Sequence, residues 1–309
     1  MITAIKKQIT QITSPAVICV IFFKNLCNQY NHYFLDKAQY DLFFNLTFTF
    51  YLLCCVCFFV FFITQKNKIG TLGFFFGLIG FLTHSAILAL RALALGYPPV
   101  SNLYESLSFF AWIIMLVYLL AEERQKTWVN GTFVLPLVVL LMGYALILDN
   151  KIRPLAPALQ SPWLGIHVTL CFLSYSCFLM AFCFGVMYLW QERELKSKKI
   201  DGFFFRLPSL GLVDRLGYRS VSFGFVFLSL GIISGSLWAQ KAWGSFWSWD
   251  PKETWSLVIW LIYVVYLHGR LMQGWRGRKN AYIAIIGFLS VLFTYFGVSF
   301  LLSGLHSYF

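Results

Sequence analysis

The chain has 309 residues, of which 59% are hydrophobic and only 12% charged. Soluble domains carry about 25% charged residues, so this composition excludes an ordinary water-soluble globule, a disordered chain and a collagen-like one. Lys and Arg outnumber Asp and Glu by 24 to 12, and in so apolar a chain that excess bears on membrane orientation rather than on nucleic acid.

Residues 1–40 hold Lys6, Lys7 and an apolar run at 16–23. That run is too short to cross a bilayer, which takes about 20 residues, and no small-residue cleavage site follows it. The segment is expected to be a peripheral extension. Eight apolar segments follow, at 42–63, 72–96, 103–121, 131–148, 163–190, 220–240, 254–271 and 281–303, so 41–309 reads as one multi-span membrane domain. Lipid admits only helices or a closed barrel, and continuous apolar runs favour helices over the alternating strands of a barrel. The expected fold is all-α and polytopic, with about eight transmembrane helices. Of the 24 basic residues, 15 lie after spans 1, 3, 5 and 7 and 4 after the even spans. The positive-inside rule places the first set on the cytoplasmic or stromal (cis) side and the even loops and C-terminus on the trans side.

The second span carries His84 and Arg91, seven apart and so on one helix face. Arg91, near the trans end, has two readings: an ion pair with Glu105, or a polar contact to an anionic group of a ligand. Six of the eight Cys fall within apolar segments, where Cys acts as a small hydrophobe. Neither a zinc site nor a thioredoxin-type redox pair is expected. His167 stands five residues into the fifth span, near its trans end. The basic loop 191–219 contains an amphipathic stretch, 203–216, which reads either as a surface-lying segment or as a solvated linker.

The most unusual stretch lies between spans 6 and 7 and reads WGSFWSWDPKETW, with Trp243, Trp247, Trp249 and Trp255 in 13 residues. An interfacial aromatic belt accounts for one or two Trp per span end but not for four beside Phe246 and Asp250 on one trans loop. The alternative is a hydrophobic platform for a large planar ligand. Asp250-Pro-x-Glu253 supplies an N-cap acid, Pro at the first helical position and an acid at the third, so span 7 is expected to start at residue 251. His167 and His306 are both expected level with this loop, and two imidazoles beside an aromatic shelf point to axial ligation of a haem iron. His268 lies 17 residues past Pro251, about 26 Å along a helix, near the cis side. A histidine inside a span is a functional hypothesis by default.

The loop, together with PPVSNLYESLSFFAW (98–112), LPSLGLVDRLGYRSVSFGF (207–225) and WLIYVVYLHGR (260–270), resembles the tryptophan-rich, WWD-motif family of haem-handling membrane proteins, its system II branch in particular. The resemblance covers about 80–309. It implies the haem-binding subunit of a cytochrome c synthase of the holocytochrome type, taking haem b as bound substrate. The positions matching His167 and His306 would ligate haem at the trans surface, with Trp243, Trp247, Trp249, Asp250 and Trp255 as platform. His268 would serve an intramembrane haem site, and His84 and Arg91 would be polar or propionate contacts. Implied partners are a CcsB-type membrane protein that supplies the opposite intramembrane ligand, apocytochromes c of the cytochrome f and c6 types, and thiol-reducing thioredoxin-like proteins. The implied location is a plastid thylakoid membrane, with a cyanobacterial or other bacterial membrane as the alternative. A second function from the same family is a CcmC-like carrier delivering haem to a chaperone.

Overall fold

The computed structural model describes residues 37–125, 127–151, 159–197 and 204–301. Among them, eight helices are long and apolar enough to cross a membrane. They are α1 (Lys37–Thr64), α2 (Asn67–Leu95), α3 (Leu103–Gln125), α4 (Val129–Leu146), α5 (Pro162–Ser197), α6 (Leu210–Trp243), α7 (Pro251–Met272) and α8 (Arg278–Leu301). The chain is therefore an all-helical, multi-pass membrane protein. The tail at 1–36 and His306 lie outside the described residues.

Helix ends follow local chemistry. Gly96 and Gly244 close α2 and α6 in the left-handed conformation, with φ of 75° and 76°, which glycine adopts without a Cβ clash. At the start of α7 the Asp250 carboxylate accepts from the Lys252 backbone N–H at 2.9 Å. The Glu253 carboxylate accepts from the Asp250 N–H at 3.2 Å, completing a capping box with Pro251 at the first position. The start expected at 251 is the observed one.

Two boundaries differ from the hydropathy reading. Helix α5 continues to Ser197 and α6 begins already at Leu210, so 210–216 is part of a span rather than a separate surface segment. The reason is pairing that hydropathy cannot see. The Asp214 carboxylate accepts from Arg270 at 2.7 and 2.9 Å and from the Gly277 N–H at 2.8 Å, while Val213, Leu216 and Gly217 are buried. These bonds tie the start of α6, the end of α7 and the start of α8 together.

Two glycine seams set how closely the helices approach. On α2, Gly70, Gly73, Gly77 and Gly80 face Phe61, Cys57, Cys54 and Tyr51 of α1 in antiparallel register; a Cβ at Gly80 would come within 2.7 Å of the Tyr51 ring. On α6, Gly217, Gly224, Gly231 and Gly235 face Phe184, Phe178, Cys171 and His167 of α5 in the same antiparallel sense. Small residues in membrane helices let backbones close where water supplies no hydrophobic drive. Cys54 and Cys57 stand at CxxC spacing, but both lie within α1 and on the first seam. The six cysteines of the described residues are free thiols, in keeping with a packing role.

Candidate functional site

A cavity opens between the first part of α5, the last parts of α6 and α8 and the start of α7; the atom-free space there, open solvent included, is about 1170 Å³. Its wall takes His167, Cys171 and Tyr175 from α5; Ile232, Gly235 and Trp238 from α6; Trp247 from the loop; Lys252, Glu253 and Ser256 from α7; and Thr294 and Tyr295 from α8. The loop before α3 adds Val100 and Ser101. The last pair from α8 sits in a five-residue π-helical turn, Phe293–Gly297. Such turns recur at functional positions because they re-aim side chains within a helix. Tyr295 is fixed there by a 2.6 Å bond between its hydroxyl and that of Ser106.

His167 is half-buried, and its geometry defines a direction. Its Nδ1 lies 2.8 Å from the Gly231 carbonyl oxygen, an acceptor only. In the neutral ring Nδ1 then carries the proton and Nε2 the lone pair, with Cys171 Sγ 3.7 Å from Nδ1 and 4.0 Å from Nε2. Backbone anchoring of one ring nitrogen to present the other is how ligand histidines are held in metal sites. Trp238, 2% exposed, packs nearly parallel to the imidazole, with centroids 6.0 Å apart and planes 22° apart. Gly235 makes the room: a Cβ there would stand 2.6 Å from His167 Nδ1.

Of the aromatic loop, Trp247 reaches the cavity wall; Trp243, Trp249, Asp250 and Trp255 stand outside it. The four rings do not form one plane. Trp243 meets Trp238 at 61°, Trp247 meets Trp249 at 90°, and Trp255 packs on Phe293 at 4.5 Å. Trp249 has φ of 58°, in the left-handed region that few non-glycine residues occupy, and is 68% exposed. Asp250 is engaged as the helix cap described above.

The other histidines differ from His167. His84 is fully buried, with Tyr51 Oη 3.1 Å from Nδ1 and Ser108 Oγ 2.9 Å from Nε2. Arg91 donates to Glu105 Oε1 through Nε and Nη2 at 3.0 and 2.9 Å and to the Asn150 carbonyl at 3.0 Å. Its guanidinium lies against the Tyr40 and Tyr104 rings. Glu105 in turn accepts from the Ser101 N–H at 2.9 Å and hydroxyl at 2.7 Å, holding Ser101 at the cavity. Partial burial raises the pKa of the Tyr97 phenol on the same loop, and its hydrogen bond with Ser101 opposes that rise. His268 is exposed on α7, on one face with Leu261, Val265 and Met272, which are also exposed.

Sequence reasoning missed Trp238, Tyr175, Tyr295, Ser106 and Gly235. Gly231 and Gly235, four apart on α6, were the available signal of a close helix approach. Nothing local to either helix marks His167 as the residue that approaches.

Residues 100–306 match the family model described as cytochrome C assembly protein. A cytochrome c biogenesis protein CcsA from Heterosigma akashiwo is 40% identical over 245 residues, covering 68% of this chain and 76% of that one. The CcsA of Guillardia theta is 36% identical over 88% of this chain and 98% of its own length, and that of a Synechococcus strain 39% identical over 72% and 82%. Among solved structures, a cytochrome c heme lyase, CcmF, superposes with a TM-score of 0.56 at 17% identity, covering 83% of this chain and 46% of that one; that likeness concerns the fold. On the family match and these identities, the chain belongs to the cytochrome c assembly protein family, together with the CcsA cytochrome c biogenesis proteins.

Proposed function

We propose that this chain is the haem-handling subunit of a cytochrome c synthase: it binds haem b, relays it across the membrane and presents it to the CxxCH of an apocytochrome. The observation that carries the reading is His167 in a largely apolar cavity, its Nδ1 anchored on Gly231 so that the Nε2 lone pair serves as an axial ligand to iron. The donor set fits haem, with one oriented imidazole, an aromatic wall of Trp238, Trp247, Tyr175 and Tyr295, and polar groups at the α7 edge. His306, which the family resemblance pairs with His167, is the second axial ligand in this reading. Trp243, Trp249 and Trp255 extend the aromatic surface beyond the cavity. Each acceptor thiol adds across a haem vinyl group, its sulfur bonding one vinyl carbon and its proton ending on the other, with no net oxidation. The chain's residues supply orientation and axial ligation, and the addition chemistry belongs to haem and thiol.

His268 is assigned to an earlier, intramembrane haem site. An ionisable side chain facing lipid is costly, and its exposure beside Leu261, Val265 and Met272 supports a CcsB-type partner covering this face and providing the opposite ligand. The relatives' occurrence, a cyanobacterium among them, supports a thylakoid location, in a plastid on the composition of the chain. The test is haem content and absorption of the full chain purified with its partner, followed by thioether formation on a co-expressed CxxCH substrate. Haem bound but no thioether formed supports the carrier role instead; no haem in the wild type overturns both.

A further inference from the structure

The first turn of α7 brings a carboxylate to the cavity. Glu253 lines the wall, and among the described residues no other Asp or Glu does. Its side-chain hydrogen bonds all fall on one oxygen. Oε2 accepts from the Ser248 N–H at 2.7 Å, the Ser248 hydroxyl at 3.2 Å and the Asp250 N–H at 3.2 Å. Oε1 accepts from none of the described residues. The capping box needs one carboxylate oxygen, so the second is left for a guest. The charges beside it are engaged elsewhere. Lys252, next on the helix, has Asp250 as its electrostatic partner, and both have further partners. From the other helices His167, Cys171, Tyr175 and Tyr295 line the same cavity. In the function proposed above the His167 lone pair goes to iron, and hydroxyls, a thiol and an ammonium are poor proton acceptors at neutral pH. Trp247 Nε1–H, in the same wall, is buried with no hydrogen-bond partner among the described residues. A buried donor left unmade is costly, which marks this edge as a place where the guest carries polar groups.

We infer that Glu253 is the proton-transfer residue of thioether formation, taking the proton of the acceptor thiol at Oε1. This deepens the function proposed above and rests on it. The thiol proton passes to Oε1, the sulfur bonds one vinyl carbon, and the electron pair of the vinyl double bond goes to the other carbon. That carbon takes the proton from the Glu253 carboxyl group, so the carboxylate is restored and nothing is oxidised or reduced. A thiol is a poor nucleophile until it loses its proton, and the second vinyl carbon needs a proton donor. One carboxyl group beside both meets both needs in turn. The bonds on Oε2 hold the group in place while Oε1 does the chemistry, so the cap of α7 is also what orients the base.

Glu253→Gln separates the two roles, because glutamine keeps an oxygen for the capping box but does not take up a proton at neutral pH. The test loads the full chain and its membrane partner with haem and adds a reduced synthetic peptide carrying CxxCH. Loss of the vinyl groups is followed by haem absorption in a single turnover. Glu253→Gln is expected to keep the haem content and unfolding midpoint of wild type and to lose about hundredfold to ten-thousandfold in rate. The wild-type rate is expected to be nearly flat between about pH 6 and 8, while that of Glu253→Gln rises about tenfold per pH unit with the thiolate fraction. Glu253→Ala, which also loses the cap acceptor, is expected to combine the same rate loss with a lower unfolding midpoint. A Glu253→Gln protein with the rate and pH profile of wild type overturns the proton-transfer role and leaves the proposed function standing. Loss of haem from Glu253→Gln overturns it too, since the residue then acts through the fold. Wild type that forms no thioether overturns both.

Discussion

The two glycine seams pose the same problem and solve it differently. In each, glycines on one helix let an antiparallel neighbour approach and bring a histidine into the contact region. Along the α1–α2 seam the histidine is His84, and both ring nitrogens lie within hydrogen-bond reach of the Tyr51 and Ser108 hydroxyls. Beyond it on α2, Arg91 is closed off by Glu105, Asn150 and two tyrosine rings. That region is a satisfied polar core, and its output is the position of Ser101 and the loop leading into α3. Along the α5–α6 seam the histidine is His167, held by a backbone carbonyl and turned into a cavity. A buried imidazole is therefore not a ligand by virtue of burial. What separates the two is their surroundings: two side-chain hydroxyls at the ring nitrogens of His84, and at His167 a backbone carbonyl beside a cavity wall.

The largest effect that would sharpen this contrast is on the closed half. Glu105→Ala leaves Arg91 buried without its carboxylate, and breaking a buried pair from one side costs about 3–5 kcal/mol. Thermal or denaturant unfolding in detergent should show that loss, together with weaker haem loading through the released Ser101 loop. Next comes Gly235→Ala, whose Cβ would overlap the His167 ring. Overpacking costs about 1–3 kcal/mol, and because the ring displaced is the proposed ligand, a fall in haem affinity larger than the fall in stability is predicted. Retention of normal haem affinity would break the assignment of the α5–α6 seam. His84→Phe orphans the Tyr51 and Ser108 hydroxyls and should destabilise the chain by about 1–3 kcal/mol while the remaining folded fraction binds haem normally. Haem lost in proportion beyond the unfolded fraction would remove the distinction between the two histidines. The smallest effect is Asp250→Ala, loss of one N-cap, at about 0.5–2 kcal/mol, measured as a modest shift in the unfolding midpoint.

The spans were readable in the sequence because each is a long apolar run, and the start of α7 because the cap Asp250, Pro251 and Glu253 are local to one another. Hydropathy failed at 210–219 because Asp214 is compensated by Arg270, 56 residues away. The depth of His167 could be read from its place in its span. Its cavity could not, because Gly235, Trp238 and Tyr295 come from other helices whose register no local pattern states. The tryptophan loop was conspicuous by composition. Yet ring orientation follows backbone, and the left-handed turn at Trp249 sends that ring outward while Trp247 turns in. The two readings offered for Arg91 were equal in sequence terms. The ion pair with Glu105 is visible once α2 and α3 are side by side.

The most direct test of the central claim compares haem in three preparations of the full chain with its membrane partner: wild type, His167→Ala and His84→Ala, each normalised to folded protein. The account predicts a haem absorption spectrum in wild type, its loss or marked change in His167→Ala, and its retention in His84→Ala. Haem retained unchanged in His167→Ala, or absent from wild type, would contradict it.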